Sequence, residues 1–305
     1  MPRSTRRKFL QTTSLLSAAV LMGLSFTEKR PAPLLSFSTL GCPDWDLKTI
    51  IDFAAKHGYD GIELRGIQRE LDLTKCKSFQ TAAARRETLQ QAKDAGVKFI
   101  NLGSSCTLHF AAGVERGKNI EEGKRFIDLA NDIECPFIRV FPNNFLKENG
   151  KERSMELISK GLLELAEHAK GAGVKVLIES HGDLVYIDDL EKIMIAAAHE
   201  NTGMIWDISN MWTITKEPPA AAYAKLKKYI YHAHIKDAKL MDGKLQYVFL
   251  GKGDVPIMQA VDILAKDNYT GYYSFEWEKL WHPEIGEPEM ALADYMNVMK
   301  EHFKA

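Results

Sequence analysis

Cysteine is scarce in this chain of 305 residues. The four present, Cys42, Cys76, Cys106 and Cys135, form no C-x-x-C pair and have no zinc-site spacing to histidine. That excludes a zinc ribbon and a dithiol redox motif, and structural thiols are expected. A glycine fingerprint is also lacking. The segment SFSTLGCPDW, which includes the first strand-like run, carries no G-x-G-x-x-G turn, so it does not open a dinucleotide-binding sheet. No Pro-, Gly- or Ser-rich linker marks a second domain. Neither charge sign dominates: 40 Lys and Arg face 41 Asp and Glu.

The charge that is present is unevenly placed. Arg3, Arg6, Arg7, Lys8, Lys29 and Arg30 stand against Glu28 alone in residues 1–30, so the remainder is acidic. An acidic body argues against electrostatic capture of a nucleic-acid backbone. Ser4-Thr5-Arg6-Arg7-Lys8-Phe9-Leu10 resembles a twin-arginine export signal. The apolar run from Ser14 to Phe26 is short for a membrane span and suits the apolar stretch of such a signal. Residues 1–30 are therefore expected to direct export to the periplasm or beyond, with residues 31–305 as one catalytic domain. Thr39-Leu40-Gly41-Cys42 faintly resembles a lipoprotein box, but Cys42 lies well past the apolar run.

The rest alternates strand and helix signals. Strands are expected at 34–40, 59–64, 97–102, 137–141, 174–179, 202–207, 230–235 and 272–276. Helices are expected at 47–57, 78–95, 114–133, 152–170, 188–199, 220–228, up to 266, and 288–303. Asp46 suits an N-cap and Gly58 a helix stop. A unit recurs: AKHGYDGIEL, AKDAGVKFINL, AKGAGVKVLIE, AKDNYTGYYSFE. Each is a helix end, a turn and a strand. Eight such units imply a parallel sheet closed as an α/β (β/α)8 TIM barrel. Residues 237–256 read as a polar excursion, with Gly251-Lys252-Gly253-Asp254 as a tight turn rather than a phosphate loop.

The strand-like runs end on polar residues: Glu63, Asn101, Arg139, Glu179, Asp207, His234 and Glu276. An unpaired carboxylate at the end of a buried strand is costly. In a (β/α)8 barrel these ends face one mouth, where chemistry sits. Glu179, Asp207, His234 and Glu276 come from four consecutive expected strands. Three carboxylates and an imidazole repel unless a cation holds them, and this oxygen-rich set suits Mn2+, Mg2+ or Co2+, with Zn2+ also compatible.

These motifs, IESHG, WDISN, HAHIKD with GKGDVP, and GYYSFEWE, resemble the xylose-isomerase-like barrel superfamily, in particular its sugar isomerase and epimerase group. The resemblance spans residues 34–303. It implies Glu179, Asp207, His234 and Glu276 as metal ligands; Glu278, which shares strand parity with Glu276, is the rival to it. It also implies Glu179 and Glu276 as the acid and base that move a proton next to a carbonyl through an enediolate. His181, Asn210, Lys236, Glu63 and Arg139 are expected to contact substrate, and His232 to be structural. Trp45, Trp212, Trp277 and Trp281 are candidate pocket walls.

Many members carry histidine where this chain has Asn210, three residues after Asp207. That leaves a lyase or dehydratase eliminating a group β to a carbonyl, for example from a 3-keto-glycoside, as the alternative. A silent sugar-binding barrel is a further one. An apurinic-site endonuclease, from the same superfamily, would need more ligands and a basic face. The expected partner is a small unphosphorylated carbohydrate. Nucleic acid is not expected, nor membrane attachment after export, and a homo-oligomer is compatible.

Overall fold

Eight strands pair in parallel around a closed ring: β1 (Leu34–Ser38), β2 (Gly61–Leu64), β3 (Lys98–Thr107), β4 (Phe137–Phe141), β5 (Lys175–Glu179), β6 (Thr202–Asp207), β7 (Ile230–Ile235) and, after a hairpin, Tyr272–Phe275. The hairpin strands are β8 (Asp237–Met241) and β9 (Lys244–Val248), so the last barrel strand is β10. The structure is a computed structural model describing residues 32–148, 150–241 and 243–304. The expected export signal lies outside the described residues. Among them, no helix is long and apolar enough to cross a membrane.

The helices α1 (Leu47–His57), α2 (Ala82–Asp94), α3 (Val114–Asp132), α4 (Gly150–His168), α5 (Ile187–Ala196), α6 (Ile208–Thr215), α7 (Pro219–Leu226), α8 (Ile257–Lys266) and α9 (Pro288–Lys304) connect the strands. Local chemistry sets α1. Asp46 accepts from the Thr49 N–H at 2.8 Å, and Gly58 closes the helix at φ 76°. Its buried residues Leu47, Ile50, Ile51 and Ala54 follow the helical period. Each larger one contributes about 1.5–3 kcal/mol by leaving water.

Strand alternation sorts side chains. Phe37, Ile62, Val140, Ile178, Trp206 and Phe275 are buried on the helix-facing side. Glu63, Arg139, Glu179, Asp207 and His234 are also buried, on the inner side of the closed ring.

Three segments depart from expectation. β3 continues to Thr107, so Asn101 sits within a strand and ends none. α6 begins directly after β6 because Asp207 closes the strand and caps the helix, accepting from the Asn210 N–H at 2.8 Å. The polar excursion contains the β8–β9 hairpin, whose turn uses Gly243 at φ 74°. The Gly-Lys-Gly-Asp turn wraps the Asp237 carboxylate, which accepts from the N–H groups of Gly251 at 2.9 Å and Gly253 at 2.8 Å. A side chain at Gly253 would collide with that carboxylate. The chain's own anion fills the cradle.

Candidate active site

Register brings the polar ends together. His234 on β7 pairs with Asp207 on β6 and with Ser274 on β10. One ligand atom each from Glu179, Asp207, His234 and Glu276 lie within 4.8 Å of one another. From His234 Nδ1 the distances are 3.4 Å to Glu179 Oε1, 3.7 Å to Asp207 Oδ2 and 3.4 Å to Glu276 Oε2. His234 Nδ1 and Asp207 Oδ2 are buried without a hydrogen bond. Asp207 Oδ2 lies 2.8 Å from Lys236 Nζ, an ion pair without hydrogen-bond alignment. Orphaned polar atoms facing one point, three of the four donors being carboxylates, fit a divalent cation. Glu278 stands outside this set and bonds to Lys236 at 2.7 Å.

The electrostatics follow from burial. Burial opposes ionisation of Glu179, but the Arg139 guanidinium at 2.6 Å overcomes it and holds the carboxyl down at about 2. Burial works against Glu276 too, and the His234 and Lys236 charges keep it well below the usual range. Burial also disfavours a charged His234, yet Glu276 and Glu63 push its pKa up. The centre of this cluster therefore favours positive charge.

Glu63 corrects the sequence reading. It is not among the residues that line the cleft, and its carboxylate lies on the Nε2 side of His234. Its carboxylate accepts from His232 Nε2 at 2.7 Å, His234 Nε2 at 3.2 Å and the Ser274 hydroxyl at 3.1 Å. The ionised carboxylate only accepts, so it fixes the proton of His234 on Nε2 and leaves Nδ1 toward the carboxylates. The trio Glu63, His232 and His234 also has metal-compatible spacing, but there the Glu63 carboxylate already accepts from both imidazoles. Burial outweighs Glu63 at His232 and lowers its pKa.

A cleft of about 310 Å³ opens above the ligands, with His181, Asn210, Lys236 and Arg139 in its walls. Arg139 stacks 3.7 Å over the Phe141 ring, and His181 packs on the same ring. Lys236 bridges Glu276 at 2.6 Å and Glu278 at 2.7 Å. A larger groove of about 640 Å³ beside Asp72 and Arg125 gathers no ligand cluster among the described residues.

Of the four candidate tryptophans, Trp281 reaches the cleft. Trp277 is buried, its indole N–H donating to Gly286 O at 2.9 Å. Trp45 packs on Phe53, and Trp212 lies under Lys216. Sequence reasoning missed four walls, Leu40, Arg65, Phe141 and Tyr247. Tyr247 comes from the unexpected hairpin, and Arg65 lies two residues past Glu63, where strand parity alone was a signal. All four cysteines are unpaired and buried. Burial raises their thiol pKa values, that of Cys76 to about 11.

The closed barrel and the acid–imidazole cluster at its mouth define a class. The xylose isomerase-like TIM barrel family matches residues 51–302, and the chain belongs to that family. No curated protein gives a significant match to the sequence. Solved structures are similar. The probable 3-DHS dehydratase AsbF of Bacillus anthracis, involved in petrobactin synthesis, is 18% identical over 87% of this chain and 98% of its own, with TM-score 0.71. D-psicose 3-epimerase of Clostridium cellulolyticum H10, solved with D-tagatose, is 16% identical over 88% and 98%, with TM-score 0.70. The IolI protein, solved with a zinc atom, is 18% identical over 88% and 98%, with TM-score 0.73. At these identities the likeness establishes the fold.

Proposed function

We propose that the protein is an exported, divalent-metal-dependent isomerase or epimerase of a sugar or keto-sugar. The observation that carries this reading is the convergence of ligand atoms from Glu179, Asp207, His234 and Glu276 within 4.8 Å of one another below an open cleft. The donor set suits Mn2+, Mg2+ or Co2+, and Zn2+ also fits. When bound, such an ion supplies positive charge that stabilises negative charge developing on substrate oxygens.

The chain's own groups move the proton. Glu179 and Glu276 reach the centre from β5 and β10, which two other strands separate. One removes a proton from carbon next to a carbonyl, giving an enediolate, and the other returns a proton. Arg139 keeps Glu179 ionised as a base. His181, Asn210, Lys236 and Arg139 orient the substrate's hydroxyls. Incubating the metal-loaded protein with a panel of keto-sugars in deuterium oxide tests this. Deuterium should enter next to the carbonyl of at least one, and no exchange with any would end the reading.

A lyase eliminating a group β to the carbonyl shares the first step. Asn210 favours keeping it in view: it lines the cleft and donates to Ser180 O at 3.3 Å. A probable dehydratase among the similar structures also supports it. Product mass separates the two, since isomerisation conserves it. Export rests on the Ser4–Leu10 motif. Replacing Arg6 and Arg7 with lysine should leave the protein in the cytoplasm.

A further inference from the structure

Arg65 is a buried cation without an anion. It lines the cleft, yet the residue is 5% exposed. Among the described residues it forms no ion pair. Its guanidinium donates to neutral oxygens, Gly103 O at 3.4 Å and Ser105 Oγ at 3.2 Å. The carboxylates that act on it are engaged elsewhere: Glu179 with Arg139 at 2.6 Å, Glu276 with Lys236 at 2.6 Å, and Glu122, which accepts from the Ser105 N–H at 2.6 Å. A guanidinium carries five N–H donors and no acceptor, so most of its donors remain uncommitted. Burying such a group without a counter-charge is costly.

The backbone and stem of Arg65 are fixed. The Arg65 N–H donates to Thr39 Oγ1 at 2.9 Å, and that hydroxyl donates to Gly66 O at 2.7 Å, which fixes the backbone on both sides. The stem passes over Gly103, where a Cβ would stand 2.6 Å from Arg65 Cδ. A fixed stem and an uncommitted head facing the cleft describe an anion receptor.

We propose that Arg65 receives the carboxylate of an acidic sugar, so the substrate is a polyhydroxy keto acid rather than a neutral sugar. This rests on the reading of the cleft as a carbohydrate site. A planar monoanionic carboxylate matches one guanidinium fork. Phosphate matches less well. The glycine cradle nearby is filled by Asp237, and Glu179, Asp207, Glu276 and Glu278 oppose a dianion.

Calorimetry on the metal-loaded protein with gluconate, glucitol and glucose 6-phosphate tests the assignment. Gluconate should bind roughly 10- to 100-fold tighter than glucitol, the worth of a charged hydrogen-bonded pair. Arg65→Met should remove that advantage with metal stoichiometry unchanged, and Arg65→Lys should keep part of it. Gly103→Ala, which displaces the stem, should weaken it as well and serves if Arg65→Met does not fold. Equal binding of gluconate and glucitol, no binding of any probe, or an advantage that survives Arg65→Met would overturn the proposal. Preference for glucose 6-phosphate would overturn the carboxylate. Deuterium exchange on neutral keto-sugars without this preference refutes Arg65 alone. The preference without any exchange refutes only the isomerase reading.

Discussion

The floor and the mouth of the barrel are both lined with charge, but they balance it differently. On the floor, Glu63 accepts from His232, His234 and Ser274. A few ångströms above, His234 Nδ1 and Asp207 Oδ2 have no hydrogen bond, although both are buried. The same imidazole belongs to both levels, satisfied at one nitrogen and orphaned at the other. Three carboxylates gathered around that nitrogen make the mouth the level suited to a cation. The Glu63 carboxylate, by holding Nε2, sets the direction in which Nδ1 points.

The sharpest way to break this contrast is at the mouth. Glu179→Gln removes a proton-accepting carboxylate with little change in shape. Solvent deuterium exchange on an accepted substrate should fall by about 100- to 10,000-fold. Unchanged exchange would take Glu179 out of the chemistry.

Lys236→Met comes next, because it strips a buried cation from beside three carboxylates. Urea unfolding in a chelator should report a loss of about 3–5 kcal/mol. Saturating divalent metal should shrink that loss by restoring positive charge. Equal losses with and without metal would mean that lysine and ion do not share a charge balance.

On the floor, Glu63→Gln should weaken metal binding by roughly 10- to 100-fold in a competitive chelator titration, since His234 loses its orienting carboxylate. Undiminished affinity would make the floor a bystander.

The smallest effect lies outside both levels. Asp46→Ala should cost about 1 kcal/mol as a lost cap. The Thr49 N–H holds the Asp46 carboxyl below its ordinary range. Its contribution is therefore present above the ordinary carboxylate pKa and fades as the pH falls through the lower folded value. Thermal melts should show wild type and variant converging at acid pH while the metal site is undisturbed at neutrality.

Much of this was readable residue by residue. The ends of α1 and the bounds of β4, β6 and β7 follow from local signals: a capping aspartate, a glycine stop, a short apolar run ending on charge. The four candidate ligands were legible for the same reason, each standing at or next to the end of an apolar strand. Asn101 misled because nothing local says that β3 runs on to Thr107. Glu63 misled because its partner His232 lies 169 residues away. Trp277 resembled a pocket wall, and its indole faces Gly286 instead.

Sequence alone determined the eightfold alternation and the identity of the residues at the strand ends, because periodicity, capping and the cost of buried charge act within a few residues. Only the closed barrel decided which of those residues became the floor and which the mouth. It also decided that Arg65 would face the cleft without a counter-charge. Depth in a lumen depends on register between strands far apart in the chain, and no local pattern encodes it.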